Sequence, residues 1–86
     1  MTDQEIFDKI LEIAKQAMPE LDTEQVTPQT VINRDLGADS LSFIMIICKM
    51  EGAFGIEIPD NTWERLSTMQ DLIDTVKQLQ KKAARS

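Results

Sequence analysis

The sequence predicts an all-α domain, and three observations lead there. Helix-forming residues dominate both ends of the 86-residue chain. Apolar residues recur at helical spacing near both termini. Helix breakers are scarce, with three glycines and three prolines.

The first helix is predicted near residues 3–17. Thr2 and Glu5 have the spacing of a capping box, and Asp3 adds an acid to the first turn. Ile6, Phe7, Ile10, Leu11, Ile13, Ala14 and Ala17 then form one stripe. Pro19 ends the segment. Residues 18–39 show no periodicity and form a long loop, a length that is uncommon unless the segment is functional or internally anchored. Leu21, Val26, Val31, Ile32 and Leu36 are its anchors, and Thr27-Pro28 reads as a turn.

The stretch "RDLGADSLSFIMIICKM", residues 34–50, holds two readings locally, because "FIMIIC" is rich in strand formers. Length decides for a helix. From Leu41 to Phe54 there is no proline and a single glycine, Gly52, and Asp39 or Ser40 can cap the first turn. The apolar positions split into two stripes. Phe43, Ile46, Ile47, Met50 and Phe54 make one, and Leu41, Ile44, Met45 and Cys48 make the other. A domain this small cannot bury both. "IEIPDNTWERL" then gives an extended piece and a short third helix, with Asp60 as its N-cap and its end near Leu66. Ser67 with Gln70 reads as a second capping box. The fourth helix buries Met69, Leu72, Ile73, Val76 and Leu79, and Lys77, Lys81, Lys82 and Arg85 suit the negative end of its dipole. The expected architecture is therefore a single all-α domain over 1–86 with four helices, whose ordered core spans about 3–79, with a fraying tail.

Composition excludes several functions. The net charge is −6, which disfavours nucleic acid as a partner. Residues 1–39 hold nine acids and three bases, and residues 40–86 hold six of each, so the negative excess precedes the serine. There is no histidine, the commonest general base and metal ligand. No spaced metal-ligand set and no glycine-rich phosphate loop occur, so neither an enzyme nor a metal site is expected. Cys48 is the single cysteine, which fits a reducing compartment, and a cytoplasmic location is expected. No apolar run approaches the roughly 18 residues of a membrane span, and the acidic, amphipathic N-terminus is unlike a signal peptide. A monomer without stable membrane insertion is expected.

Ser40 stands out by position. A helix cap is the plain role for a serine before an apolar run. Asp39 beside it can do that alone, and Gly37-Ala38 keep the approach uncrowded. A hydroxyl at a helix N-terminus is also well placed to carry a phosphate, because the positive dipole end favours the anion. Another enzyme can add that phosphate, so the chain need not activate the serine.

"DLGADSL", residues 35–41, resembles the attachment motif of acyl carrier proteins. "FGIEIPD" at 54–60 and "LSTMQDLID" at 66–74 resemble the same family at matching spacing, so the likeness covers nearly the whole chain. The resemblance implies that Ser40, with Asp39 beside it, receives 4′-phosphopantetheine from coenzyme A through a phosphopantetheinyl transferase. The arm's thiol then holds acyl groups as thioesters for enzymes of fatty-acid, polyketide or specialised acyl pathways. It also implies a bundle of four helices, one of them short, and a carrier without catalysis of its own. Leu41, Ile44, Met45 and Cys48 become the partner-binding face next to the arm. The family's helix at this point is usually acidic. Here Ser42, Met45, Lys49, Gly52 and Ala53 depart from that pattern, and Glu51 is the single acid from Ser40 to Phe54, which implies a dedicated partner set. Trp63 either packs the short helix or walls an acyl cavity. The competing function is an unmodified helical interaction module that uses the same fold and the apolar face of the second helix. A small hydrolase is disfavoured by the lack of a base near Ser40.

Overall fold

A computed structural model describes residues 2–37 and 39–84. Five helices follow one another in it: α1 (Asp3–Ala17), α2 (Ile32–Asp35), α3 (Ser40–Phe54), α4 (Asp60–Trp63) and α5 (Met69–Ala84). The four expected helices are all present, and α2 is an additional single turn inside the long loop. No strand occurs among the described residues; one isolated bridge pairs Val31 with Thr68.

The α1 helix begins as its sequence dictates. The Glu5 amide donates to Thr2 Oγ1 at 3.2 Å and the Thr2 amide donates to Glu5 Oε1 at 2.9 Å. Its stripe meets both other long helices, α3 and α5. Ile6, Ile10, Ile13 and Ala14 from α1 are buried with Ile46, Ile47 and Met50 from α3 and Met69, Leu72, Ile73 and Val76 from α5. Burial of each large aliphatic side chain is worth roughly 1.5–3 kcal/mol, which makes this three-helix seam the main source of stability.

The long loop is anchored rather than loose. Val26 and Ile32 are buried, while Leu21 and Leu36 pack half-buried against the core. Thr27-Pro28 turns as expected, with the Thr30 amide donating to the Thr27 carbonyl at 3.0 Å. The loop is also tied to the start of α5: the Ile32 amide donates to the Ser67 carbonyl at 2.9 Å and the Met69 amide to the Thr30 carbonyl at 3.0 Å. The α2 turn is held by its own acid, as Asp35 Oδ2 accepts from the Val31 amide at 2.8 Å.

Several local expectations are corrected. The second capping box is made by Thr68 and Asp71, not by Ser67 and Gln70. The Asp71 amide donates to Thr68 Oγ1 at 3.1 Å, and Asp71 Oδ2 accepts from the Ser67 and Thr68 amides, both at 2.9 Å. Gln70 turns instead to Asp74, one helical turn on. The α4 helix is capped by Pro59 without a side-chain hydrogen bond, has Asp60 as its first residue and ends at Trp63 rather than Leu66. Phe54 is half-buried, not fully in the core, because α3 stops there and Gly55 turns the chain with φ 64°. Lys77 does not serve the C-terminal dipole: its Nζ pairs with Asp3 Oδ1 at 2.9 Å, tying α5 to the start of α1. The α5 helix continues past Leu79 to Ala84. Arg85 and Ala38, both singled out in the sequence, lie outside the described residues. No helix among the described residues is long and apolar enough to cross a membrane.

Candidate functional site

The site lies where the anchored loop delivers the chain to α3. Gly37 has φ 67°, a left-handed conformation that glycine adopts without a Cβ penalty. Asp39 then takes extended geometry, and its Oδ1 accepts from the Ser42 amide at 2.8 Å. Its carbonyl accepts from the Phe43 amide at 2.9 Å. The ambiguity over the cap is thereby resolved: Asp39 is the N-cap and Ser40 is the first helical residue. Ser40 is exposed, and its hydroxyl is not needed for the cap.

The electrostatics of this corner follow from those contacts. The Ser42 amide, with a smaller contribution from the Ser42 hydroxyl, holds the Asp39 carboxyl below the usual carboxylate range. Arg34 beside Asp35, and then the Val31 amide, do the same for Asp35. Both acids are charged at neutral pH. Beside Ser40 an open groove of ≈ 650 Å³ runs between the long loop and α3, with Leu21, Gln25, Leu36, Gly37 and Ser42 among its walls. No local pattern in the sequence reveals this groove, because tertiary packing brings residues 18–25 against Asp35, Leu36, Gly37 and Ser42.

The second stripe of α3 lies in the open. Leu41 is 68% exposed, Ile44 40% and Met45 39%, and Cys48 is an exposed free thiol. The first stripe is inside, with Ile46, Ile47 and Met50 buried and Phe43 and Phe54 half-buried. Thus α3 divides its apolar surface as its periodicity requires. Glu51, the acid of this helix, is turned to its own chain: Oε2 accepts from the Ile58 amide at 2.8 Å. Trp63 packs half-buried and donates from Nε1 to the Ile58 carbonyl at 3.0 Å. Trp63 therefore has the packing role, and with Cys48 and Leu79 it also borders a larger open groove of ≈ 1010 Å³ at the far end of α3. The Glu51–Ile58 contact was not legible locally, since it depends on how Gly55 redirects the chain.

The helical bundle thus places an exposed serine at the first position of a 15-residue helix whose cap is supplied by the preceding Asp39. Among the described residues there is also no group of three acids or thiols able to hold a metal ion.

Comparison with known proteins gives the family. Residues 8–76 match the family described as the phosphopantetheine attachment site. An acyl carrier protein from Guillardia theta is 40% identical over 78 residues, covering 91% of this chain and 95% of that protein. One from Rubrobacter xylanophilus is 40% identical over 76 residues, covering 88% and 93% respectively. The solved acyl carrier protein of Enterococcus faecalis superposes with a TM-score of 0.74 at 32% identity, covering 92% of this chain and 99% of that one. The chain belongs to the acyl carrier protein family. Its members are carriers that hold 4′-phosphopantetheine covalently, and they meet phosphopantetheinyl transferases and acyl-handling enzymes.

Proposed function

We propose that Ser40 is the attachment point of 4′-phosphopantetheine, and that this cytoplasmic carrier serves a specialised acyl pathway through a dedicated set of enzymes. The observation that carries this reading is the division of labour at the start of α3. Asp39 satisfies the Ser42 amide, so modification of Ser40 costs the helix none of its cap. The residues fit the group. The Ser40 hydroxyl is exposed at the positive end of a 15-residue helix, which favours a phosphodiester. Asp39 holds that helix start in place.

The attachment needs little from this chain. Ser40 Oγ forms a bond to the phosphorus of coenzyme A that bears the pantetheine, and the pyrophosphate P–O bond breaks. Adenosine 3′,5′-bisphosphate leaves, and the hydroxyl proton goes to a base of the transferase, as the carrier has no imidazole. Once attached, the arm supplies a thiol that forms thioesters with acyl groups. Leu41, Ile44, Met45 and Cys48 form the partner-binding face beside it, and their exposure supports that role. Their apolar character, in a helix whose acid is turned inward, favours a specialised pathway over general fatty-acid or polyketide synthesis.

The test is intact mass after incubation with coenzyme A and a phosphopantetheinyl transferase. Wild type gains one phosphopantetheine and Ser40→Ala gains none. An unchanged wild-type mass returns the protein to the alternative of an unmodified interaction module, and a modified Ser40→Ala protein moves the attachment elsewhere.

A further inference from the structure

Lys49 and Gly52 extend the exposed rows of α3 in a way the fold itself does not use. Leu41, Met45 and Lys49 succeed one another at four-residue spacing, as do Ile44, Cys48 and Gly52, so all six share one face over about three turns. Cys48, Lys49 and Gly52 are exposed like the residues before them. Among the described residues Lys49 makes no ion pair. Lys49 is exposed, whereas Glu51 is half-buried with Oε2 accepting from the Ile58 amide, so the more exposed of the two charges within α3 is positive, in a chain whose net charge is −6.

Gly52 is an independent sign. Gly37 and Gly55 adopt left-handed backbone, which explains their identity. Gly52 does not, and a Cβ built there meets nothing within 4 Å. Glycine inside a helix is less stable than alanine, and nothing within this chain requires it. A residue without a side chain, on an exposed face, lets another surface approach the helix backbone closely.

Resting on the carrier reading above, we infer that this face docks a partner protein of defined chemistry. The partner offers an apolar trough for Leu41, Ile44 and Met45, a carboxylate opposite Lys49, and a segment packed flat over Gly52. A partner with a basic rim is unsuited, since Lys49 repels it. A second copy of this chain is also unsuited. Two molecules of charge −6 repel, and pairing through Leu41 covers the neighbouring Ser40.

The test is acyl loading of the phosphopantetheinylated protein by the acyl-loading enzyme encoded nearest its gene, comparing wild type, Lys49→Glu and Gly52→Ala. Lys49→Glu raises KM roughly tenfold or more, equivalent to about 1.4 kcal/mol, with kcat nearly unchanged. Gly52→Ala raises the melting temperature by roughly 2–8 °C and still raises KM, a combination that damage to the fold cannot produce. Intact mass separates this inference from the carrier reading: a docking defect leaves the phosphopantetheine in place in every variant, while a wrong carrier reading leaves wild type unmodified. An unchanged KM in both variants, or a lower KM for Lys49→Glu, overturns the inference. So does a dimer in sedimentation equilibrium that Met45→Glu dissociates, since it gives the face to a second copy.

Discussion

Removing the Glu51 carboxylate tests whether the turn between α3 and α4 is held by one side chain. In the native protein Glu51 Oε2 accepts from the part-buried Ile58 amide at 2.8 Å, and the Ile58 side chain is 2% exposed. Glu51→Ala leaves that amide without its acceptor, which costs about 1–3 kcal/mol. Alanine is the better helix former by a few tenths of a kcal/mol, about 0.3, which offsets a small part. The net loss is then about 1–2 kcal/mol, because a part-buried amide regains some hydration. For a domain of this size each kcal/mol lowers the melting temperature by roughly 4–8 °C. Glu51→Gln keeps an acceptor oxygen at the same reach and loses less than half as much. The assay is urea unfolding, followed in parallel by far-UV circular dichroism and by the fluorescence of Trp63, the single tryptophan, whose Nε1 donates to the Ile58 carbonyl. If Glu51→Ala stays within about 0.5 kcal/mol of wild type, the range of ordinary surface changes, the turn is held by packing and the latch has no energetic role. Equal losses for Ala and Gln refute it as well, since they tie the effect to charge rather than to the acceptor.

Three further outcomes are expected. Met50→Ala, at a position with 0% exposure, loses about 2–5 kcal/mol in denaturant unfolding, whereas the half-buried Phe54→Ala loses less than the roughly 3–5 kcal/mol of a fully buried phenylalanine; the reverse order contradicts the placement of the two side chains. The Thr68 amide, and then the Ser67 amide, depress the folded-state pKa of Asp71, so its stabilisation is complete above the ordinary carboxylate pKa and is lost as pH falls through the depressed value. Melting temperatures taken between about pH 2 and 6 therefore fall on acidification, and Asp71→Asn flattens that limb; an unchanged limb removes Asp71 from the acid response. Met45→Glu weakens a dedicated partner by roughly 1–3 kcal/mol without altering the fold, and wild-type affinity changes little as salt shortens the screening length below about 10 Å; steep salt dependence in wild type with no loss in the variant contradicts an apolar interface.

The parts of this protein that repeat along a helix were legible in the sequence, and the parts that depend on long-range contacts were not. The stripe of α1 and its Thr2–Glu5 cap are local patterns, and both appear as read. The two stripes of α3 separated correctly into Ile46, Ile47 and Met50 inside and Leu41, Ile44, Met45 and Cys48 outside. A single turn such as α2 is too short to show periodicity, and it persists because Ile32 is buried and Asp35 reaches back to the Val31 amide. At the start of α5, Ser67 with Gln70 and Thr68 with Asp71 have the same spacing. The loop chooses between them by placing the Ile32 amide on the Ser67 carbonyl and the Gln70 amide on the Pro28 carbonyl at 2.8 Å. At the candidate site, the position of Ser40 was legible but the identity of its cap was not, since Asp39 and Ser40 are both good caps and only the backbone geometry distinguishes them.

Asp35, Asp39 and Glu51, the acids flanking or within α3, share one feature that links fold to recognition. Asp35 accepts from the Val31 amide, Asp39 from the Ser42 amide and Glu51 from the Ile58 amide. Each satisfies a backbone donor beside a helix end, where an uncompensated amide costs stability. Such an acid keeps its charge, but it cannot turn fully toward a partner without giving up that contact. On α3 Lys49 is the more exposed charge, along a row of apolar side chains. On the docking inference the negative charge of the chain acts mainly at a distance and is screened by salt, while close contact beside Ser40 falls to Leu41, Ile44 and Met45. On the same inference, such a carrier selects its enzymes by the shape and dryness of a trough, and Lys49 works against a partner that relies on a basic patch alone.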